Sequence, residues 1–364
     1  MNPPAEEDPC RAVVEGFDDD VLAVAFAPGG AALAAGGRDG SVRIADVASG
    51  ATLRALDGHS DAVRGLAFTR GLAPMAAGGG GVGGGASTGS TPAPGTPSSS
   101  VSHGTPFGPG GGEPGDGAGA EVFLVTASED GTARVWALAT GASRAVLRGH
   151  KGKLNGCAAA AGVAITFGAD KDLRVWEIPT GVLRYTLGGH TDAVTAARIS
   201  RDGGLALTVS TDKTGRLWDV SRGVQLYTLA GHSGFVSACA LAPQARLAAP
   251  AAPAAAAGGK KKAAAAATPA APASGACATG SADKSVRLHN CATGQPLAPP
   301  MEGHLGEVTF LAFSSDGKVL ASASRDKTAR TWNAATDSPT LGAPLRVFRG
   351  HAEPLVKVRA PAFL

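Results

Sequence analysis

Residues 128–138 read SEDGTARVWAL, and they sit at the centre of a pattern that runs through the whole chain. Asp130-Gly131 marks a tight turn, because glycine and aspartate suit the backbone of short hairpins. Trp136 follows the aspartate by six residues and Thr126 precedes it by four. The same three-point spacing returns at Thr166/Asp170/Trp176, Thr208/Asp212/Trp218 and Ser322/Asp326/Trp332. A fifth copy keeps Thr279 and Asp283 but carries His289 in the tryptophan place, and a first copy keeps only Asp39, between Ala35 and Ala45. All four tryptophans of the chain fall on this one position.

Each unit also opens on a Gly-His pair: Gly58-His59, Gly149-His150, Gly189-His190, Gly231-His232 and Gly303-His304, with a further pair at Gly350-His351 and a degenerate Gly16-Phe17. Successive histidines are 40 and 42 residues apart from His150 to His232, and Phe17 to His59 is again 42. The gaps of 91 (His59 to His150) and 72 (His232 to His304) contain low-complexity segments. Without them a period of about 42 returns, which is that of a propeller blade. Period-2 alternation around each motif predicts strands. In the second unit the first strand holds Val63, Leu66 and Phe68, the second runs from Leu124 to Ala127, the third from Thr132 to Trp136 and the fourth from Ala145 to Leu147.

With SEDGTARVWAL (128–138), STDKTGRLWDV (210–220) and SRDKTARTWNA (324–334), the chain resembles the WD-repeat family over nearly everything outside the two low-complexity segments. The resemblance implies an all-β propeller of four-stranded blades closed radially. It also implies a structural hydrogen-bonded network in each blade, running from Trp N–H to Ser/Thr, then His, then Asp. Four blades have the complete set: His59/Thr126/Asp130/Trp136, His150/Thr166/Asp170/Trp176, His190/Thr208/Asp212/Trp218 and His304/Ser322/Asp326/Trp332. A charge-relay triad would use similar residue types, but such a site occurs once, not in most repeats. The first blade should rely on apolar packing and be the least stable.

The units give six full blades and a partial seventh within a propeller spanning 11–364. Gly350-His351 leads into a first strand at Leu355–Arg359, and Arg11–Val14 resembles a fourth strand, since RAVVEGF (11–17) parallels RAVLRGH (144–150). A ring lacking the middle strands of its last blade would have unpaired edges, as expected of a truncated seven-bladed product. The alternative is a six-bladed ring with irregular ends. Residues 71–119 (Gly, Ser, Thr and Pro) and 243–275 (Ala and Pro) have compositions of disordered insertions, and 1–10 of a flexible N-terminus. Both insertions join the first and second strands of a blade, so they should emerge on the face opposite the Asp turns. Lys260–Lys262 is a weak basic signal, most simply a solvated run.

Net charge is +3 with 17% charged residues, so the balance does not call for nucleic acid or membrane. Nothing at the N-terminus resembles a signal peptide, and the longest apolar runs are broken by Pro or Lys. Cys10, Cys157, Cys239, Cys277 and Cys291 include no C-x-x-C pair and suggest reduced, buried thiols in a cytoplasmic or nuclear protein. There is no phosphate loop, no metalloprotease motif and no orphan acid pair. The expectation is a non-enzymatic scaffold without cofactor or metal, docking proteins or peptides in a multiprotein complex. A ribonucleoprotein-binding propeller is the alternative, though aromatics are only 5% and no basic tail exists.

The candidate docking residues lie beside the Asp turns. Lys171, Lys213, Lys284 and Lys327 follow the turn aspartates of four consecutive units, where Gly40 and Gly131 stand in the first two. With Arg38, Arg325 and Lys151 they would form a basic arc for acidic or phosphorylated peptides, opposed by Glu129, Asp192 and Glu307. The competing reading is that Asp-Lys-Thr is an ordinary turn variant. Phe235 is a candidate anchor at the central opening, with core packing as its alternative. Arg43, Arg134, Arg174, Arg216, Arg287 and Arg330 recur two before the tryptophan place, so they read as structural.

Overall fold

The computed structural model describes residues 13–70, 121–247, 273–351 and 355. Among them there is no helix, and the strands form antiparallel sheets in chain order. The first comprises β1 (Val21–Phe26), β2 (Ala32–Gly37), β3 (Val42–Asp46) and β4 (Thr52–Leu56). The second is β5 (Val63–Arg70), β6 (Val122–Ser128), β7 (Ala133–Ala137) and β8 (Ser143–Leu147). The third is β9 (Leu154–Ala160), β10 (Val163–Gly168), β11 (Leu173–Glu177) and β12 (Leu183–Leu187). The fourth is β13 (Val194–Ile199), β14 (Leu205–Ser210), β15 (Gly215–Asp219) and β16 (Val224–Leu229). The fifth contains β17 (Val236–Leu241), β20 (Ala276–Ser281) and β21 (Val286–Asn290), with a two-residue ladder of β18 (Arg246–Leu247) and β19 (Ala273–Ser274). The sixth is β22 (Val308–Phe313), β23 (Val319–Ser324), β24 (Ala329–Asn333) and β25 (Pro344–Phe348).

The fifth sheet departs from the four-strand expectation. Its outer edge is reduced to bridges of Met301 with Val286 and Pro296 with His289. Gln295-Pro-Leu-Ala-Pro-Pro-Met301 explains this, because proline cannot donate to a ladder. All of 71–119 and most of 243–275 lie outside the described residues, as do 1–10. The described roots show that each segment leaves between an inner strand and the next one, β5 to β6 and β17 to β20, and that the second root is extended by the β18–β19 ladder. Of the predicted end strands, Arg11 and residues 356–359 are likewise outside. Val13 and Val14 belong to no strand.

Every inner strand contains a register shift at the same place, the fifth residue after the His or Phe of its opening pair. The shifted residues are Leu22, Arg64, Asn155, Thr195, Ser237 and Thr309. A bulge leaves one residue unpaired and re-aims its side chain. Here all six point into a shared cavity of about 250 Å³ at the centre of the disc. Four of them also join neighbouring sheets: Asn155 donates to the Val194 carbonyl (2.8 Å), Thr195 to Val236 (2.5 Å), Ser237 to Val308 (2.6 Å) and Thr309 to Leu355 (2.5 Å). Leu355 thus occupies, next to the sixth sheet, the place that Val194, Val236 and Val308 occupy next to theirs.

Between sheets lie the apolar cores. Val63, Leu154, Val194, Val236 and Val308, the first inner-strand residues of sheets two to six, are fully buried. Val21, their counterpart in the first sheet, is 47% exposed. Leu56, Leu147, Leu187 and Leu229 close the outer strands and are buried, whereas Phe348 in that position of β25 is 48% exposed. Among the described residues, the leading face of the first sheet and the trailing face of the sixth therefore lack the cover that every other sheet receives from its neighbour.

Candidate functional site

The polar residues singled out by the sequence meet in buried clusters, one in each of sheets two to six. In the second sheet Trp136 Nε1 donates to Thr126 Oγ1 (3.0 Å), Thr126 Oγ1 is 2.7 Å from His59 Nε2, and His59 Nδ1 is 2.8 Å from Asp130. The third sheet repeats this with Trp176, Thr166, His150 and Asp170 at 2.8, 2.7 and 2.9 Å. The fourth has Trp218, Thr208, His190 and Asp212 at 2.8, 2.8 and 2.7 Å, and the sixth has Trp332, Ser322, His304 and Asp326 at 2.8, 2.7 and 2.9 Å. An indole N–H can only donate, so the hydroxyl accepts from it and gives its own proton to His Nε2. The imidazole is then neutral and donates from Nδ1 to the carboxylate.

The electrostatics agree with that tautomer. Burial lowers the pKa of His59, His150, His190, His232 and His304, outweighing the pull of the adjacent aspartates. Asp212 is pushed up by burial, but hydrogen bonds from Thr214 and His190 prevail and hold it at about 2. The carboxylates also organise the turns. Asp130 accepts from the Thr132 N–H and hydroxyl and, by its other oxygen, from Ser60 N–H. Every donor and acceptor is engaged within the blade, and the clusters lie beneath the surface. They are poor nucleophile sites and good rivets.

The fifth sheet keeps His232 between Thr279 and Asp283, at 2.9 Å to each. His289 fills the tryptophan place at 2% exposure, and its Nδ1 is buried with no hydrogen-bond partner. Burial, with the nearby His232 and Arg287, lowers its pKa to about 4. In the first sheet Asp39 bonds Ser41 and Asp18 N–H, Ala35 and Ala45 are buried, and Arg43 lies over the Phe17 ring at 5.7 Å. The recurrent arginines share a structural placement. Arg43 and Arg134 donate to the carbonyls of Gly16 and Gly58, and the guanidiniums of Arg287 and Arg330 cover Gly231 and Gly303 so closely that a Cβ there would meet them at 2.8 and 2.7 Å. Arg174 turns instead to Asp170, and Arg216 to Gln225.

On the face of the Asp turns, the four lysines adopt left-handed backbone, with φ of 71°, 70°, 71° and 65° at Lys171, Lys213, Lys284 and Lys327. Gly40 and Gly131 hold the same conformation at 82° and 80°. The side chains do not form a uniform arc. Lys171 Nζ donates to the Thr191 carbonyl (2.8 Å). Arg38 pairs with Asp20 (3.1 Å) and Arg325 with Glu307 (2.9 Å). Glu129 is held by Arg64 and Lys153. Phe235 is 40% exposed at the surface. Leu305, which sequence reasoning missed, is 79% exposed; its only signal was an apolar residue directly after a Gly-His histidine.

Cys157, Cys239, Cys277 and Cys291 are buried and form no disulfide among the described residues, and Cys10 lies outside them. Burial pushes the Cys239 thiol up to about 11, and the Cys291 thiol beside Cys277, together with burial, pushes Cys277 up as well. Among the described residues no group of three or more His, Cys, Asp or Glu is placed to hold a metal ion, and no helix is long and apolar enough to cross a membrane.

Antiparallel sheets set in sequence about a central cavity, all but the first riveted by a buried network, define a β-propeller. The family model described as "WD domain, G-beta repeat" matches residues 8–46, 181–219 and 294–333. The chain therefore carries WD40 repeats. It is similar to "Small ribosomal subunit protein RACK1" of Saccharomyces cerevisiae, with 46% identity over 57 residues, and to "MST50-interacting protein 11" of Pyricularia oryzae, with 44% over 57 residues. Each match covers 15% of this chain and 18% of the relative.

Proposed function

We propose that this protein is a non-catalytic scaffold or adaptor that docks partner proteins or peptides on the face bearing its Asp turns and Gly-His loops, within a multiprotein complex in the cytoplasm or nucleus. The observation that carries this reading is the division of its polar residues. The His, Ser/Thr, Asp and Trp side chains that could do chemistry are engaged with one another inside the blades, while lysines and large apolar side chains stand exposed on one face. Such a surface recognises and does not transform. The partner segment is acidic or phosphorylated, matched to Arg38, Lys171, Lys213, Lys284, Arg325 and Lys327, with Phe235 as an apolar anchor. One relative's name describes an interacting protein, which supports the reading.

Affinity purification with mass spectrometry tests it. Reversing Lys171, Lys213, Lys284 and Lys327 to glutamate together should abolish capture of the partners held by the native protein. An unchanged set of captured proteins would rule the face out. A ribonucleoprotein-binding propeller is a second reading, favoured by the similarity to a protein named as part of the small ribosomal subunit. RNA binding whose affinity falls steeply with salt would mark it.

A further inference from the structure

In the first three blades the turn residue that follows the turn aspartate faces the Gly-His loop of the next blade. A Cβ on Gly40 would lie 2.8 Å from the His59 carbonyl oxygen, and one on Gly131 would lie 3.3 Å from that of Gly152. Lys171 reaches the loop of the following blade through Thr191. Extending the repeat to the next two blades assigns Lys213 to the loop Ser233–Phe235 and Lys284 to the loop beginning at Leu305. Those two loops carry the large exposed apolar side chains of this face, Phe235 at 40% and Leu305 at 79%. The Phe235 carbonyl accepts from Ala282 N–H and Leu305 N–H donates to Asp326, so both loops are pinned to the turns of their own blades. Ser237 joins the two blades by its bond to the Val308 carbonyl.

Several other charges near this face are matched by neighbours. Arg38 meets Asp19 and Asp20, Arg64 and Lys153 meet Glu129, Arg325 meets Glu307, and Lys171 is bonded to Thr191 beside Asp192. Among the described residues no carboxylate forms an ion pair with Lys213 or Lys284. Asp212 and Asp283, their chain neighbours, are committed to His190 and His232.

We propose that Lys213–Phe235 and Lys284–Leu305 are two neighbouring subsites on consecutive blades that bind one short acidic peptide with two bulky apolar side chains. The apolar side chains lie on Phe235 and Leu305, and carboxylates beside them meet the two lysines. Charge complementarity selects the acidic chain, and burial of the two exposed apolar surfaces supplies contact energy that charge alone does not. This rests on the reading of the Asp-turn face as the docking surface and narrows it to the fourth, fifth and sixth blades.

Fluorescence anisotropy with a fluorescein-labelled peptide tests it. The probe has two leucines spaced by glutamates and flanked by glutamates. Phe235→Ala and Leu305→Ala should each weaken binding about tenfold, the size expected of an anchor residue. Lys213→Glu and Lys284→Glu should do the same, while Lys171→Glu should change it less than threefold. A second probe with both leucines replaced by serine leaves the protein untouched and should also bind about tenfold more weakly. If the serine probe binds as well as the leucine probe, or Lys171→Glu weakens binding as much as Lys213→Glu, the two-subsite proposal fails while the docking face stands. Binding indifferent to every lysine reversal, or no measurable binding, overturns both.

Discussion

Thr208 holds two partners at once, accepting from Trp218 Nε1 and donating to His190 Nε2 at 2.8 Å each. Its residue-scale consequence is large, because removing the hydroxyl orphans two buried groups. Thr208→Val should cost about 2–3 kcal/mol in urea unfolding; a loss below about 0.5 kcal/mol would show the network to be idle. His289 has the opposite signature. Its pKa of about 4 lies below its ordinary 6.5, so the folded state binds fewer protons than the unfolded one between those values. Stability is therefore complete above about pH 6.5 and is lost as pH falls toward 4, by an amount on the order of 3 kcal/mol. The paired histidines add in the same direction. The aspartates, with lowered values, lose theirs only further down, Asp212 through about 2. His289→Phe should flatten the decline between pH 6.5 and 4; an unchanged slope would mean that His289 does not titrate there.

At the scale of the element, two devices recur. The turn after β14 places Lys213 at φ 70°, a conformation that costs a residue with a Cβ about 1–2 kcal/mol. Lys213→Gly should raise stability by about 0.5–1 kcal/mol once the extra freedom of glycine in the unfolded chain is counted. Thermal unfolding checks it, and a fall in Tm would show that the side chain contributes more than its backbone costs. The inner-strand bulge is the second device. It turns Thr195 from its own ladder toward the Val236 carbonyl of the next blade. Thr195→Val should cost about 1 kcal/mol by denaturant unfolding, and no change would show that bulge residues do not bind the blades together.

At the scale of the molecule, the blades stand in a series whose internal interfaces are all alike and whose two outermost faces differ. Val63 is fully buried between the first and second sheets, whereas Val21 is half-exposed on the first sheet's outer side. Val63→Lys should cost more than about 3 kcal/mol, since it buries an unpaired charge, while Val21→Lys should cost less than about 1 kcal/mol. Equal losses, measured by denaturant unfolding, would mean that the first sheet is covered after all. The open sheet faces also bear on function. The docking subsites proposed on blades four to six sit on consecutive sheets joined through Thr195 and Ser237, with the sixth joined to Leu355 through Thr309.

The repeat, its period, its strands and the identity of each rivet were legible in the sequence, because a blade is a local unit. Asp turn, Trp and Ser/Thr lie within ten residues of one another, and the backbone period of two fixes their sides. What the tertiary structure alone decided lies between units. That Asn155, Thr195, Ser237 and Thr309 join neighbours through a bulge depends on the register of one sheet and the position of the next. Which basic side chains remain available depends on distances no spacing encodes: Arg38, Arg325 and Lys171 are answered by their surroundings, whereas Lys213 and Lys284 are not. Composition likewise left Leu305 invisible, since exposure belongs to a surface that exists only when the blades are assembled. Sequence sets what each module can do for itself; the packing of modules determines which groups are left over for a partner.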